Sequence, residues 1–223
     1  LDRSSAASDV YKRQIVIRGH ESHQLDSYSN DPNIKLIDHP EHPKTHLLHS
    51  IMRASKHMSS GFALVFSDII FDAAILSKLI SSDQDIVLAV DNSYTYHKHL
   101  IDKKLDLVVS RKSFDSQLRS LQQESLSDLI RIGKNIDEKQ ADYEFIGLAY
   151  FSKNGAKALI DIFEECNGKI SSGFHEASSF KTSGITDILQ ELIDRGYQIK
   201  AMEIYKGWRE IHSHEDKKNT ELN

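Results

Sequence analysis

The chain is poor in the features that mark secreted, membrane-spanning or polymer-binding proteins. A single cysteine, Cys166, excludes an internal disulfide and fits a reducing compartment, where a lone thiol packs as a small hydrophobe. Uninterrupted apolar runs fall short of the roughly 20 residues that a bilayer-crossing helix needs. No signal peptide is visible, so a cytoplasmic setting without a membrane partner is expected. Three prolines and ten glycines among 223 residues leave little room for linkers, and no internal repeat is present. Cations do not dominate either: 28 Lys+Arg against 33 Asp+Glu give a formal charge of −5. Without a long basic stripe to follow a phosphate backbone, no nucleic-acid partner is expected.

One stretch is foreign to the rest. Residues 4–14, SSAASDVYKRQ, resemble the in-frame translation of a transposase library adapter, and the chain starts at Leu1 instead of Met. Residues 1–14 are therefore set aside as a non-native segment. Residues 15–223 are taken as the domain, with its natural start missing.

Short β-branched-rich runs at 15–18, 33–38, 63–67, 85–91, 106–110, 144–150 and 198–205 predict strands. Most are continuously apolar instead of alternating, as suits strands buried on both faces. Helices are predicted between them: 44–58, with Leu48, Ile51, Met52 and Ser55 on one face; 72–82, with Asp72 as N-cap; one capped by Ser152 and closed by Gly168; and one bearing Ile185, Ile188, Leu189, Leu192 and Ile193, ended by Gly196. The polar stretch 112–130 reads as loop plus helix. Strands alternating with helices predict a three-layer α/β fold with a parallel or mixed sheet.

Asp68 directly follows the run ALVFS, and ligands of open α/β sheets bind outside the carboxyl ends of strands. It is read either as a ligand-facing acid or as a turn acid. Asp72, four residues on, is explained by capping. A phosphatase of the haloacid-dehalogenase type would need two acids separated by one residue, which this spacing does not supply. His42, His46 and His49 have helical spacing, but Pro43 marks a helix start, so they are read as a solvated helix N-terminus.

FALVFSDIIFD, YEFIGLAYFSKNGA and KGWREIHSHED, together with PKTHLLHSIMRA, DIVLAVDNSY, LIRIGKNI and TDILQELIDRG, occur in the order found in the sugar-phosphate-type nucleotidyltransferases. The chain resembles their MobA-like branch, which includes phosphocholine cytidylyltransferases and the nucleotidyltransferases associated with phosphoenolpyruvate mutase in phosphonate pathways. The resemblance covers nearly all of residues 15–223. It implies a Rossmann-like fold with a mixed, mostly parallel sheet. It also implies transfer of a nucleoside monophosphate, CMP from CTP, to a small acceptor such as phosphocholine or 2-aminoethylphosphonate, with loss of pyrophosphate. Mg²⁺ is the implied metal and a homodimer an implied assembly.

By the same resemblance Asp68 is the catalytic metal acid, matching the acid of the family's strand end after a small residue, here Ser67. His212 stands where the family places a second metal carboxylate, and Glu210, which a strand would put on the face of His212, is the alternative ligand. Thr45, Ser50 and Ser67 fall at nucleotide-side positions, with helix capping as the other reading of Thr45. Glu144, Asp187 and Trp208 fall at the acceptor side, where Glu144 is otherwise a solvated strand-edge acid and Trp208 otherwise core. Relatives open on a first strand and a Gly-rich triphosphate loop, and this chain enters at what looks like their second strand. The chain as given is therefore expected to be inactive, and a non-catalytic nucleotide-binding module of the same fold is the alternative function.

Overall fold

The computed structural model describes residues 13–96, 104–111, 126–170 and 172–211. The chain divides into two compact units. One comprises the residues up to Gly61 together with Ser152–Tyr197, the other Phe62–Phe151 together with the residues from Gln198 on.

In the first unit, strands β1 (Gln14–Arg18) and β2 (Ile34–Asp38) pair in parallel. Gln14, the last residue of the segment set aside above, opens β1. Arg18 at the end of this ladder meets Asp38 at 2.6 Å and Asp26 at 2.5 Å. Among its described residues the unit adds a 3-10 helix, Ser22–Tyr28, and the α-helices α1 (Leu47–Met52), α3 (Lys153–Cys166) and α4 (Ile185–Asp194). Ser152 caps α3 by accepting from the Asn154 and Gly155 N–H groups, satisfying donors that have no partner inside the helix. The Ile185, Ile188, Leu189 and Leu192 stripe of α4 is buried, and α4 packs on α1 and α3.

Helix α1 is shorter than the predicted 44–58. His46 N–H bonds to the Lys181 carbonyl and Leu48 N–H to the Ser183 carbonyl, so tertiary partners take the donors of an earlier helical turn. A 3-10 turn at Pro43, His42–Lys44, is separated from α1 by the extended Thr45 and His46, and a second, Ser55–His57, follows the helix. His49 is half-buried, not a freely solvated residue. Its Nε2 bonds to the Phe180 carbonyl at 3.1 Å, and its ring lies edge-on to Phe163 and Phe180.

Burial lowers the His49 pKa below the ordinary 6.5, and the Phe180 bond offsets this only in part. A depressed folded value favours the neutral ring. The stabilisation is therefore complete above about pH 6.5 and lost as pH falls through the folded value. His49→Gln keeps a donor for Phe180 without titrating, and its Tm is expected to fall less than the parent's between pH 7 and 5. Parallel Tm curves would show that His49 contributes nothing to the acid side.

The second unit holds a six-stranded sheet ordered β3-β8-β5-β9-β7-β6. Its strands are β3 (Phe62–Val65), β5 (Ile86–Asp91), β6 (Leu107–Arg111), β7 (Ser127–Gly133), β8 (Tyr143–Phe151) and β9 (Lys200–Ile204). A separate antiparallel pair joins β4 (Ile69–Phe71) to β10 (Trp208–Glu210). Helix α2 (Ala73–Ile80) starts at Asp72, whose side chain accepts from Ala74 N–H at 2.8 Å, and packs on β5 and β8.

The sheet is mixed, but it is not the mostly parallel one expected. Among the described residues only β5 and β9 pair in parallel within it, because β8 lies antiparallel to β3, β5 and β6, and β7 antiparallel to β6 and β9. Continuous apolar runs report burial on both faces, not the direction of the neighbour. Strand β7 replaces the end of the loop plus helix predicted over 112–130. The rest of that prediction, 112–125, lies outside the described residues.

Strand β8 changes partner along its length. Tyr143 and Glu144 pair with β6, whereas Leu148–Phe151 pair with β3. Between these stretches the register against β5 jumps, Leu88 facing Ala149 and Val90 facing Phe145. The bulge contains Gly147 at φ +80, and the Gly147 carbonyl accepts from Phe66 N–H.

Candidate active site

Strands β3 and β5 both oppose β8, and β9 runs parallel to β5. The carboxyl ends of β3, β5 and β9 therefore lie along one edge of the sheet, where β8 begins. Asp68 follows β3 at this edge, Asp91 ends β5, Tyr205 follows β9, and Tyr143 and Glu144 open β8. This is the edge at which open α/β sheets bind ligands.

Asp68 and Ser67 are both exposed. The Asp68 carbonyl accepts from Ile211 N–H at 2.7 Å, extending the β4–β10 ladder by one residue. Its backbone is thereby fixed while its carboxylate has no partner among the described residues. Glu210, half-buried, is aligned with Ile69, so Glu210 and Asp68 are one residue out of step and alternate across the ladder. His212 lies outside the described residues. The exposed Asp68 oxygens suit a hard divalent cation that shares its shell with water and phosphate oxygens.

A second acidic group sits at the same edge. Asp91 and Glu144 face each other directly in the β5–β8 register and are 0% and 2% exposed. Glu144 is therefore a buried acid, not a solvated strand-edge one. Burying a carboxylate requires donors, and three of those of Asp91 lie among the described residues. Ser93 gives its main-chain N–H at 2.8 Å and its hydroxyl at 2.7 Å to Oδ1, and half-buried Trp208 gives its Nε1–H to Oδ2 at 2.8 Å. One residue out of step, Tyr143 Oη donates to Glu203 Oε2 at 3.0 Å, and the Asn92 side-chain amide donates to Oε1. Burial and the Glu203 charge push the Tyr143 phenol up to about 12.

The remaining expected site residues lie in the first unit. Thr45 follows a 3-10 turn in extended conformation. Its hydroxyl donates to the Glu41 carbonyl at 3.1 Å and lies 2.9 Å from His39 Nε2, so it does not cap α1. Ser50 is half-buried within α1. Asp187 is buried, and its two oxygens accept from Gly184 N–H at 2.7 Å and Glu176 N–H at 2.9 Å, tying the start of α4 to the preceding loop. This placement gives Asp187 a capping role and lends no support to acceptor binding. Asp187→Ala is expected to cost about 2 kcal/mol of stability by leaving two N–H groups unmatched, measured by urea denaturation. An unchanged midpoint would show that water replaces the carboxylate.

Among the described residues, a cluster with metal-ligating spacing is His175, Glu191 and Asp194 in the first unit. Burial alone would raise the Glu191 pKa, but hydrogen bonds from Arg195 and His175 outweigh it and hold the carboxyl below its ordinary value. The cluster is an ion-pair network that fastens the loop at His175 to α4.

Sequence reasoning missed Asp91, Asn92, Ser93, Tyr143 and Glu203 as site candidates. For Asp91 a signal was present, since VDNS repeats the pattern that singled out Asp68: an acid closing an apolar run.

No protein-family model matches the chain. Its fold is that of nucleotidyltransferases of the Rossmann-like type. It matches the inositol-1-phosphate CTP transferase of T. maritima with a TM-score of 0.65 and 18% identity, covering 95% of this chain and 75% of that one. It matches the CTP:phosphocholine cytidylyltransferase of Streptococcus pneumoniae with a TM-score of 0.65 and 10% identity, covering 97% and 81%. In sequence it is similar to the CTP:phosphoglutamine cytidylyltransferase of Campylobacter jejuni, 24% identical over 208 residues, which span 88% of this chain and 76% of that protein. These likenesses support the sugar-phosphate nucleotidyltransferase family read from the sequence motifs. None of the helices among the described residues is long and apolar enough to cross a membrane.

Proposed function

We propose that this chain is a metal-dependent cytidylyltransferase that transfers CMP from CTP to a small acceptor bearing a phosphate or phosphonate and a cationic group, such as phosphocholine or 2-aminoethylphosphonate. The observation that carries the reading is Asp68, a bare exposed carboxylate at the carboxyl end of β3, in a chain similar along most of its length to a CTP-using enzyme.

The acceptor's phosphate is largely dianionic at neutral pH, because its second ionisation lies near pH 6. An acceptor oxygen can therefore attack the α-phosphorus of CTP without a general base, forming the new P–O bond as the bond to pyrophosphate breaks. The work left to the protein is positioning and charge neutralisation. Asp68 would hold Mg²⁺, with His212 as the second ligand that the resemblance assigns, since Glu210 alternates with Asp68 across the ladder, and the ion would supply positive charge to the phosphate oxygens. Ser67, beside Asp68, is assigned to the nucleotide. Trp208 and Glu144 are assigned to the acceptor, where an indole face and a carboxylate suit an ammonium group.

The test is pyrophosphate release from CTP, GTP, ATP and UTP with each acceptor, run on this chain and on the chain extended by its natural sequence upstream of Ile15. Acceptor-dependent release with CTP is the expected result for the extended chain, and no release for the chain as given. Nucleotide binding without release in either form would leave the non-catalytic module as the function.

A further inference from the structure

We propose that Asp91 is a positioning residue that sets the orientation of Trp208 for the acceptor, an assignment that rests on the reading of Trp208 as an acceptor-pocket residue. Asp91 is completely buried, and so is its partner Ser93. The two Ser93 bonds lock one carboxylate oxygen to the turn that follows β5. The other oxygen holds a side chain 117 positions away in the chain.

Trp208 is half-buried, begins a three-residue strand paired with β4, and follows a turn in which Lys206 and Gly207 both have positive φ. An indole carries a single N–H donor, so fixing that donor fixes the rotation of the ring. The buried Asp91 carboxylate, anchored by Ser93, offers that donor a fixed acceptor at the sheet edge where Glu144 faces Asp91.

Trp208 is the only tryptophan in the chain, so intrinsic emission reports on it alone. In the full chain, Asp91→Asn is expected to shift the emission of the free protein. It is also expected to weaken fluorescence titrations with phosphocholine and 2-aminoethylphosphonate on the order of tenfold, through loss of a charge-assisted bond. Ser93→Ala, which removes one of the bonds anchoring Oδ1, is expected to weaken them roughly threefold and serves if the Asn variant does not fold. Parent emission that responds to an acceptor, with both folded variants binding as tightly as the parent, overturns the positioning role alone. Parent emission that responds to neither acceptor, while Asp91→Asn still shifts it, overturns the acceptor-pocket reading and reduces Asp91 to a structural anchor.

Discussion

Gly147→Ala is expected to lower the stability of the protein by about 2–4 kcal/mol, seen as a fall in Tm of about 5–15 °C for a chain of this size. Two effects combine. Gly147 has φ +80, where an added Cβ costs about 1 kcal/mol. That Cβ would also lie 2.3, 2.4 and 2.9 Å from Phe66 side-chain atoms, deep inside van der Waals contact. Phe66 cannot yield freely, because its N–H is bonded to the Gly147 carbonyl and its ring stands edge-on to Phe145. It also precedes Ser67 and Asp68, so the substitution is expected to impair the site along with the fold. Gly168→Ala is the matched control: its φ is +78 with nothing within 4 Å of an added Cβ, and its cost is expected to stay near ~1 kcal/mol. Equal melting temperatures for the two variants would show that the Phe66 contact relaxes.

Asp68→Asn is expected to have the opposite signature. An exposed carboxylate with no partner among the described residues contributes little to stability, so the unfolding midpoint should move by less than about 0.5 kcal/mol. In the chain extended upstream of Ile15, metal-dependent turnover should fall on the order of 10²–10³-fold, the size of effect seen when one electrostatic stabiliser is removed from a charge-developing site. Steady-state kinetics across a magnesium titration, beside a melting curve, checks both halves. Parent-like turnover would remove Asp68 from the metal site, and an unfolded variant would make it a structural acid.

The features readable from sequence were those settled within one turn of chain. Asp72 caps α2, Ser152 caps α3, and Gly168 and Gly196 take positive φ. Each depends on donors or sterics a few residues away, and no distant contact overrides them. Pairing is different, because a strand's neighbour is fixed far along the chain. YEFIGLAYF would look the same beside parallel or antiparallel neighbours, and its antiparallel insertion between β3 and β5 was not legible. Strands β4 and β10 span three residues each, too short for periodicity to register, yet their ladder fixes the backbone of Asp68.

The site divides along the same line. Asp68 was visible because an acid breaks an apolar run at a strand end. Burial of Glu144 was not, since it depends on β5 and β6 flanking the first residues of β8. The Asp91–Trp208 bond joins residues of β5 and β10 that no local pattern connects.

The most direct test of the account follows phosphorus itself. ³¹P NMR of CTP, Mg²⁺ and 2-aminoethylphosphonate or phosphocholine, with the chain extended upstream of Ile15 by its natural sequence, should show pyrophosphate appearing together with a new P–O–P linkage between the α-phosphorus and the acceptor. Loss of both signals is expected in Asp68→Asn. Unchanged CTP, or release of inorganic phosphate with no acceptor-linked product, would contradict the assignment of a cytidylyltransferase.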